Sequence, residues 1–395
     1  MEQLAQMEDN KSKLLVVGPY PPPYSGPESS MKLFLESPIR NHYNIRFLNM
    51  NFRKDNHKRG KIDLTSLAGI AQLLFRLCTA LIVFRPHAVY YYVTATLAGW
   101  LLKDIWVIGL SRLFGCKIVI HMRAGHFRRN LDNAAPWQQK FIKFFIRRAA
   151  FGIVQANCLK NQFEGILPDN KIAAVYNMID IKRYRRQNDM LDTPTYKIFF
   201  MGHLTYAKGY CDLLEALPQI VAAVPQVKLV CAGVRIQGNE RNVLFNYQNN
   251  QKLQFTDPDS CWDKYIRGKF EKNFEYIGVL NEDQKIAQLS DCDAFILPSY
   301  SEGFSMAVLE ALSMGCPVVT TPVGALQEIV HDNVNGLIVD CGDVQALAKA
   351  VIRILTDHKL RISIANNNHI YVKENFAQEI ISNQLHKIFE SIINK

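Results

Sequence analysis

None of the nine cysteines in this 395-residue chain stands in a Cys-x-x-Cys pair, and they are scattered from Cys78 to Cys341. A zinc site or a disulfide framework is therefore not expected, and a reducing cytoplasm is the natural setting. The opening MEQLAQMEDNKSK has no apolar run, so no secretory signal is read there. Low-complexity tracts and short-period repeats are missing too. Charged residues make up 21% of the chain and hydrophobic ones 48%, a balance that excludes disorder and supplies large cores. Long unbroken apolar runs are scarce. LTSLAGIAQLLFRLCTALIVF (64–84) comes closest, but Arg76 sits in its middle, a position that costs about 2.5–3.5 kcal/mol in a bilayer. It is expected to be a helix packed on a sheet rather than a membrane span. TATLAGWLLKDIWVIGLSRLF (94–114) contains Lys103 and Asp104 and is a weaker candidate still.

What the chain has instead is alternation. Strands are read at 13–18, 44–50, 87–93, 117–123, 151–157 and 171–177, then at 197–202, 227–233, 274–279, 294–299, 317–322 and 336–340. Most are near-continuous apolar runs, as expected of parallel strands covered on both faces. Helical patterns separate them, which is the βαβ signature, twice over. The expected fold is α/β: two doubly wound Rossmann-like domains facing across a cleft, with ligands at the carboxyl ends of the strands. The polar stretch KRYRRQNDMLDTPT (182–195) reads as the linker, giving domains at 1–190 and 191–376. The segment 377–395 is then a C-terminal helix that crosses back to the first domain. Acidic residues are short in the first half. Residues 1–190 carry 28 Lys and Arg against 13 Asp and Glu, a net of +15, and the rest carries 18 against 23, a net of −5. A basic first half fits an anionic partner: lipid headgroups, nucleic acid or a phosphate-bearing substrate.

SEGFSMAVLE (301–310) holds two glutamates, Glu302 and Glu310, in an apolar or small-residue setting. The strand before it stops at Pro298. Gly303 gives the turn its freedom, Ser305 is a good N-cap, and MAVLEALSM is a helix ended by Gly315. Glu302 thus sits just before a helix N-terminus, where free amides and the helix dipole favour an anion such as a phosphate. Carboxylates also accept hydrogen bonds from hydroxyls, and sugars are strings of hydroxyls. Taken alone, Glu310 with Ser313 also fits a solvated helix stripe, and Glu302 an ordinary loop. Their neighbours change that balance. FFMGHLTYAKGYCDLLEALPQI (199–220) is a strand, a glycine-bearing loop with Gly202 and Gly209, and a helix with Lys208 at its start. GCPVVTTPVGALQEIVHDNVNGLIVD (315–340) is another strand, turn and short helix.

MGHLTYAKG, YIGV, DAFILPSYSEGFSMAVLEALSMGCPVVTTPVG and EIVHDNVNGLIVD, in that order over most of 199–340, resemble glycosyltransferase family 4, retaining enzymes of the GT-B fold that use nucleotide-sugar donors. VVGPYPPPYSGPESS (16–30) and VYNMID (175–180) resemble it more faintly. The resemblance implies that Glu302 contacts the hydroxyls of the transferred sugar, with Gly303, Phe304, Ser305 and Met306 near it and the diphosphate. It implies that Glu310 holds the nucleotide's ribose, that Lys208 neutralises the diphosphate, and that Gly278 and Val279 line the base. Gly202 and His203 belong to the same donor site, and Gly26 approaches the phosphates from the first domain. His203 stands where the family usually has an arginine, and a neutral histidine brings one hydrogen bond but no charge near pH 7. Arg235 is a candidate replacement for that charge. The family's histidine in the first domain corresponds to His121 or His126, in IHMRAGHFRRN (120–130), as a group that touches the donor sugar or the acceptor.

The reaction implied is retaining transfer of a sugar from a UDP-sugar or GDP-mannose type donor to a saccharide or lipid-linked saccharide hydroxyl, as in bacterial surface-polysaccharide assembly. No metal and no cofactor are expected: DCD (291–293) has the Asp-x-Asp form, but it precedes its strand and lies at the wrong end for a donor site. WQQKFIKFFIRRAAFG (137–152) mixes phenylalanines with Lys and Arg and suits either an anionic membrane surface or an ordinary packed helix. A peripheral place on the inner face of the plasma membrane follows from the first choice. Two rivals differ in class. A sugar-nucleotide epimerase of the same fold would need no acceptor. A basic nucleic-acid-binding protein would bind with steep salt dependence, but no recognition motif is present, and nucleic acid is not the expected partner.

Overall fold

The computed structural model describes residues 11–22, 25–51, 64–186, 196–235 and 257–394. They form two compact units, Met1–Met178 with Phe376–Lys395, and Ile179–Asn375. Each holds one six-stranded, all-parallel sheet. All twelve expected strands are present, several with shorter carboxyl ends. One example is Phe151–Val154, which stops where Gln155 turns to bond Asn177.

In the first unit the strands are β1 (Ser12–Gly18), β2 (Tyr43–Asn49), β3 (Ala88–Val93), β4 (Lys117–Met122), β5 (Phe151–Val154) and β6 (Ile172–Ala174). Their order across the sheet is β2-β1-β3-β4-β5-β6. Its longer helices are α1 (Gly26–Glu36), α2 (Leu64–Val83), α3 (Ile105–Leu113) and α4 (Pro136–Ile146). The second unit has β7 (Lys197–Met201), β8 (Lys228–Ala232), β9 (Phe274–Tyr276), β10 (Ala294–Leu297), β11 (Val318–Thr320) and β12 (Gly336–Ile338), ordered β12-β11-β10-β7-β8-β9. Its longer helices are α5 (Tyr210–Ala223), α6 (Pro258–Tyr265), α7 (Glu282–Ser290), α8 (Met306–Ser313), α9 (Val344–Thr356) and α10 (His358–Asn375). The last helix, α11 (Gln378–Ile393), returns to the first unit.

The sheets are buried because their strands are apolar on both sides. Leu14, Leu15, Val16 and Val17 of β1 are fully buried, as are Ile118, Val119 and Ile120 of β4. On one face of the first sheet, α1 supplies Met31 and Phe34, and α11 supplies Ile381, Leu385 and Phe389, all packed against Tyr90 and Tyr92. The division between units falls ahead of the expected boundary at 190. Residues after Met178 already bind the second unit. Arg186 donates to the carbonyls of Leu289 (3.1 Å) and Cys292 (2.7 Å), and Ser313 donates to the Tyr184 carbonyl (2.8 Å). The remainder of the expected linker, 187–195, lies outside the described residues.

Two other expectations change. Cys211 and Cys261 are joined in a disulfide between α5 and α6, although the sequence suggested no disulfide framework. The fold supplies the reason: these helices pack side by side, so cysteines 50 positions apart meet. The stretch 64–84 does form a helix on the sheet, but it is poorly covered. Only a stripe of Gly69, Leu73, Leu77, Ala80 and Leu81 is buried, and 28% of its most apolar window in all.

Candidate active site

In a doubly wound sheet the ligand crevice lies where the strand order reverses, at the carboxyl ends of the strands on either side. In the second unit that place is between β7 and β10, because β7, β8 and β9 run outward on one side and β10, β11 and β12 on the other. The loops after β7 and β10 carry Lys208 and Glu302, and their side chains meet at 2.6 Å.

Local chemistry fixes that meeting. Gly209 has φ +70°, and a Cβ there would lie 2.0 Å from the Pro298 carbonyl oxygen, so the first loop sits directly on the end of β10. Tyr300 N–H and Ser299 Oγ both donate to the Ala207 carbonyl, at 2.9 and 3.0 Å. The Tyr206 and Tyr300 rings stack at 5.1 Å. Tyr300 then donates to Asp212 in the first turn of α5 (2.7 Å), whose carboxyl is pushed up to about 6 by burial against the opposing pull of that hydrogen bond. On the other side, the loop after β11 closes in: a Cβ on Gly324 would lie 2.1 Å from the Glu302 carbonyl oxygen, and Ala325 N–H donates to Gly303 (2.9 Å).

As expected, Ser305 caps α8: its hydroxyl accepts from Val308 N–H at 3.4 Å, and Gly315 at φ +72° follows the helix end. Phe304, Ser305 and Met306 are buried beside Glu302 in sequence. Glu310, one turn further into α8, is buried and engaged. Its carboxylate accepts from Lys285 at 2.7 Å and from the Tyr184 hydroxyl at 3.4 Å. Burial raises the Glu310 carboxyl, and Lys285 works against that rise. Burial alone would lower Lys285, but Glu310 and Glu282 outweigh it and raise it, so the ammonium stays charged. Tyr184 also donates to Glu282. The partners Lys285, Tyr184 and Glu282 carry no motif and escaped the sequence reading. The only sequence sign of α7 is its start, where Asn281 and Gln284 form a capping box.

The remaining donor-side candidates lie along the same strand ends. Gly202 follows β7, and its N–H donates to the Ala232 carbonyl (3.0 Å); Gly233 N–H donates to Gly278 (2.8 Å), linking the ends of β7, β8 and β9. His203 and Val279 are exposed there, and Gly278 takes φ +74°. Arg235, the candidate for the missing arginine charge, is held by Asp259. The DCD sequence lies at the amino ends of the strands, where Lys197 donates through its backbone to Asp293 (2.7 Å) and through its side chain to Asp291 (3.0 Å).

Three candidates belong to the first unit. Gly26 opens α1 after β1, beside the β1–β3 reversal of that sheet. His121 is inside β4, within the strand expected at 117–123. It is buried, with Nδ1 2.6 Å from the Tyr90 hydroxyl and Nε2 without a hydrogen-bond partner among the described residues. Burial, with Arg123 adding to it, holds its pKa well below the ordinary histidine value, so the ring is neutral. His126 is exposed, just ahead of the short helix Phe127–Asp132. Sequence reading also missed Asp104. It is fully buried at the end of a π-helical turn, and it accepts from Tyr91, from Thr94 N–H (2.9 Å) and from Thr94 Oγ1 (2.6 Å).

Residues 180–370 match the family model of group 1 glycosyl transferases. Over that stretch, just under half of its length, the chain is similar to the family. Among its relatives are an uncharacterized glycosyltransferase of Methanocaldococcus jannaschii and the capsular polysaccharide biosynthesis glycosyltransferase CapM of Staphylococcus aureus. The first is 30% identical over 56% of this chain and 55% of its own length, the second 24% over 58% and 57%. The chain thus spans about half the length of the curated relatives it matches. The fold is shared more widely. Sucrose-phosphate synthase from Thermosynechococcus elongatus superposes with a TM-score of 0.72 at 15% identity, covering 97% of this chain and 100% of that one. Anabaena HepE, solved in complex with UDP, gives 0.69 at 16%, over 96% and 100%. The chain therefore shares the fold of these structures, GT-B.

Proposed function

We propose that this protein transfers a sugar from a nucleotide-diphosphate sugar, of the UDP-sugar or GDP-mannose type, to a hydroxyl of a saccharide or lipid-linked saccharide, with retention at the anomeric carbon. The observation that carries the reading is the Lys208–Glu302 pair, built by two loops at the strand-order reversal of the second unit and next to the capped N-terminus of α8. Charge grows on the diphosphate as the sugar leaves. Lys208 and the first amides of α8 are fixed donors for that charge, and fixed donors cost no reorganisation at the moment of reaction. Glu302 accepts from the sugar's hydroxyls and keeps Lys208 oriented. Glu310, fixed by Lys285, offers its remaining oxygen to the ribose hydroxyls, while Gly278 and Val279 form the edge for the base. Gly26 and one of His121 and His126 are the first unit's candidates for contact with the donor or the acceptor. The donor phosphate itself helps to deprotonate the acceptor, and no metal or cofactor takes part. CapM is a capsular polysaccharide biosynthesis enzyme by name, and a Rhizobium meliloti relative, 30% identical over 49% of each chain, is a lipopolysaccharide core biosynthesis glycosyltransferase. They support a role in surface-polysaccharide assembly, on the cytoplasmic face of a membrane.

The test is thermal melting without metal, with UDP, GDP, ADP and their sugars, for wild type, Lys208→Ala and Glu310→Ala. A ligand at about 100 times its dissociation constant adds roughly 2.7 kcal/mol of stability. One nucleotide should raise the melting temperature selectively, and Lys208→Ala should remove most of the rise. No response to any nucleotide would overturn the reading.

A further inference from the structure

Ten of the sixteen large hydrophobic side chains that are exposed among the described residues belong to three helices of the first unit or their ends: α2, α3 and α4. These helices lie side by side, α3 between α2 and α4. A Cβ on Gly109 of α3 would come within 3.2 Å of the Phe145 ring, so α4 approaches closely. Each helix buries one stripe and turns an apolar one outward. On α2 the buried stripe is Leu73, Leu77 and Leu81, while Phe75 is 74% exposed and Ile82, seven residues on, shares its side of the helix. On α3, Trp106 and Leu113, again seven apart, are exposed, Leu113 by 79%. On α4, Ile142 and Ile146 are buried, and Trp137, Phe141 and Phe144 point away from them at helical spacing. A soluble surface scatters such side chains singly; an exposed patch of this kind marks a partner.

The charges say which partner. Over residues 64–83, 105–113 and 136–148 the chain has six Lys and Arg (Arg76, Arg112, Lys140, Lys143, Arg147 and Arg148) and no Asp or Glu. Tryptophan and phenylalanine, ringed by unopposed cations, match the interface of an anionic bilayer, where aromatic rings enter the headgroup level and cations meet phosphates. We propose that the outer face of α2, α3 and α4 docks on an anionic phospholipid bilayer, with the helices lying in the membrane plane. The helix α2 is long and apolar enough to cross a membrane, but its buried stripe ties it to the sheet, so it lies on the surface instead. The proposal deepens the function above, resting on the acceptor being carried at a membrane, and it gives that membrane a specific face of this chain.

The test is co-sedimentation of the full chain with vesicles of phosphatidylcholine alone or mixed in equal parts with phosphatidylglycerol, at low and high salt. The anionic vesicles should pellet the protein, and salt should weaken but not abolish the effect. The triple variant Trp137→Ser, Phe141→Ser, Phe144→Ser and the charge variant Lys140→Gln, Lys143→Gln, Arg147→Gln, Arg148→Gln should each lower vesicle partitioning by roughly tenfold or more. Because the changed side chains are mostly exposed, melting should stay close to wild type, and the nucleotide-induced rise in melting should persist in every variant. Failure to pellet with anionic vesicles, or pelleting unaltered by either variant, would overturn the proposal. So would light scattering that shows a stable dimer dissociated by the aromatic variant, which would make this face a contact between copies. A missing nucleotide response with intact vesicle binding would instead count against the donor site alone.

Discussion

The two units of this chain follow one plan, six parallel strands with a reversal of order inside the sheet, yet they put charge in opposite places. The second unit concentrates it at the strand ends: Lys208 against Glu302, and Lys285 against Glu310 and Glu282. Five of the exposed large hydrophobics among the described residues belong to it, against ten on or at the ends of α2, α3 and α4 of the first unit. The first unit has one buried pair of this kind among the described residues, Lys103 with Asp104 at 3.6 Å, and there Tyr91 and Thr94 hold the carboxylate more closely; His121 on Tyr90 is neutral, and six further cations lie on the apolar helices α2 to α4 and just past their end. On the function and the docking face proposed above, the same scaffold serves two recognition tasks: one unit preorganises charge for a small anion, and the other spreads it over a surface.

The comparison breaks hardest at Lys285. Replacing it with methionine leaves Glu310 buried without its cation, and removing one partner of a buried pair costs about 3–5 kcal/mol. Urea unfolding should show that loss, and Lys285→Met combined with Glu310→Leu should recover much of it. A loss below 1 kcal/mol, on the order of an exposed pair, would mean the second unit holds its charges no more tightly than a surface does. Gly209→Ala comes next. The backbone at φ +70° and the 2.0 Å approach to the Pro298 carbonyl both resist a side chain, so a destabilisation of about 1–3 kcal/mol is expected, along with displacement of Lys208. Calorimetry reads the first and nucleotide-induced melting the second.

The smallest effect belongs to the first unit. Because His121 has a lowered pKa in the folded state, the unfolded chain binds the proton more readily. Stability is therefore full above the unfolded value of about 6.5 and falls as pH drops below it toward the folded value. Melting temperatures between pH 8 and pH 5, roughly the histidine range, should decline for wild type, and His121→Gln should flatten the curve. Equal slopes in both proteins would show that His121 is not the neutral group described here.

The sequence was most informative where physics is local. Apolar runs such as those of β1 and β4, the Ser305 cap and the Gly315 stop depend on neighbours a few positions away, and all were legible. The loop residues Lys208 and Glu302 stood out only together, through the order of motifs along 199–340. What stayed hidden depends on distant chain segments meeting. Lys285 looks like any solvated helix residue until Glu310 lies 2.7 Å away. Cys211 and Cys261 cannot be paired by spacing. His121 was legible as a strand residue, but the Tyr90 hydroxyl 2.6 Å from its ring was not. The linker ended early because Arg186 finds carbonyls that a one-dimensional reading cannot bring near.

The return of α11 to the first unit has a consequence for how the chain is made. The core of that unit takes Ile381, Leu385 and Phe389 together with Leu14 and Val16, so its first and last contributions are separated by the whole second unit. A ribosome releases the second unit complete while the first still lacks one helix. Folding along the nascent chain, which usually proceeds from the amino end, is here inverted in its last step: the domain begun first is closed last. Until α11 emerges, Phe34, Tyr90 and Tyr92 lack the cover that Ile381, Leu385 and Phe389 give them in the finished core, for as long as it takes to translate the residues between.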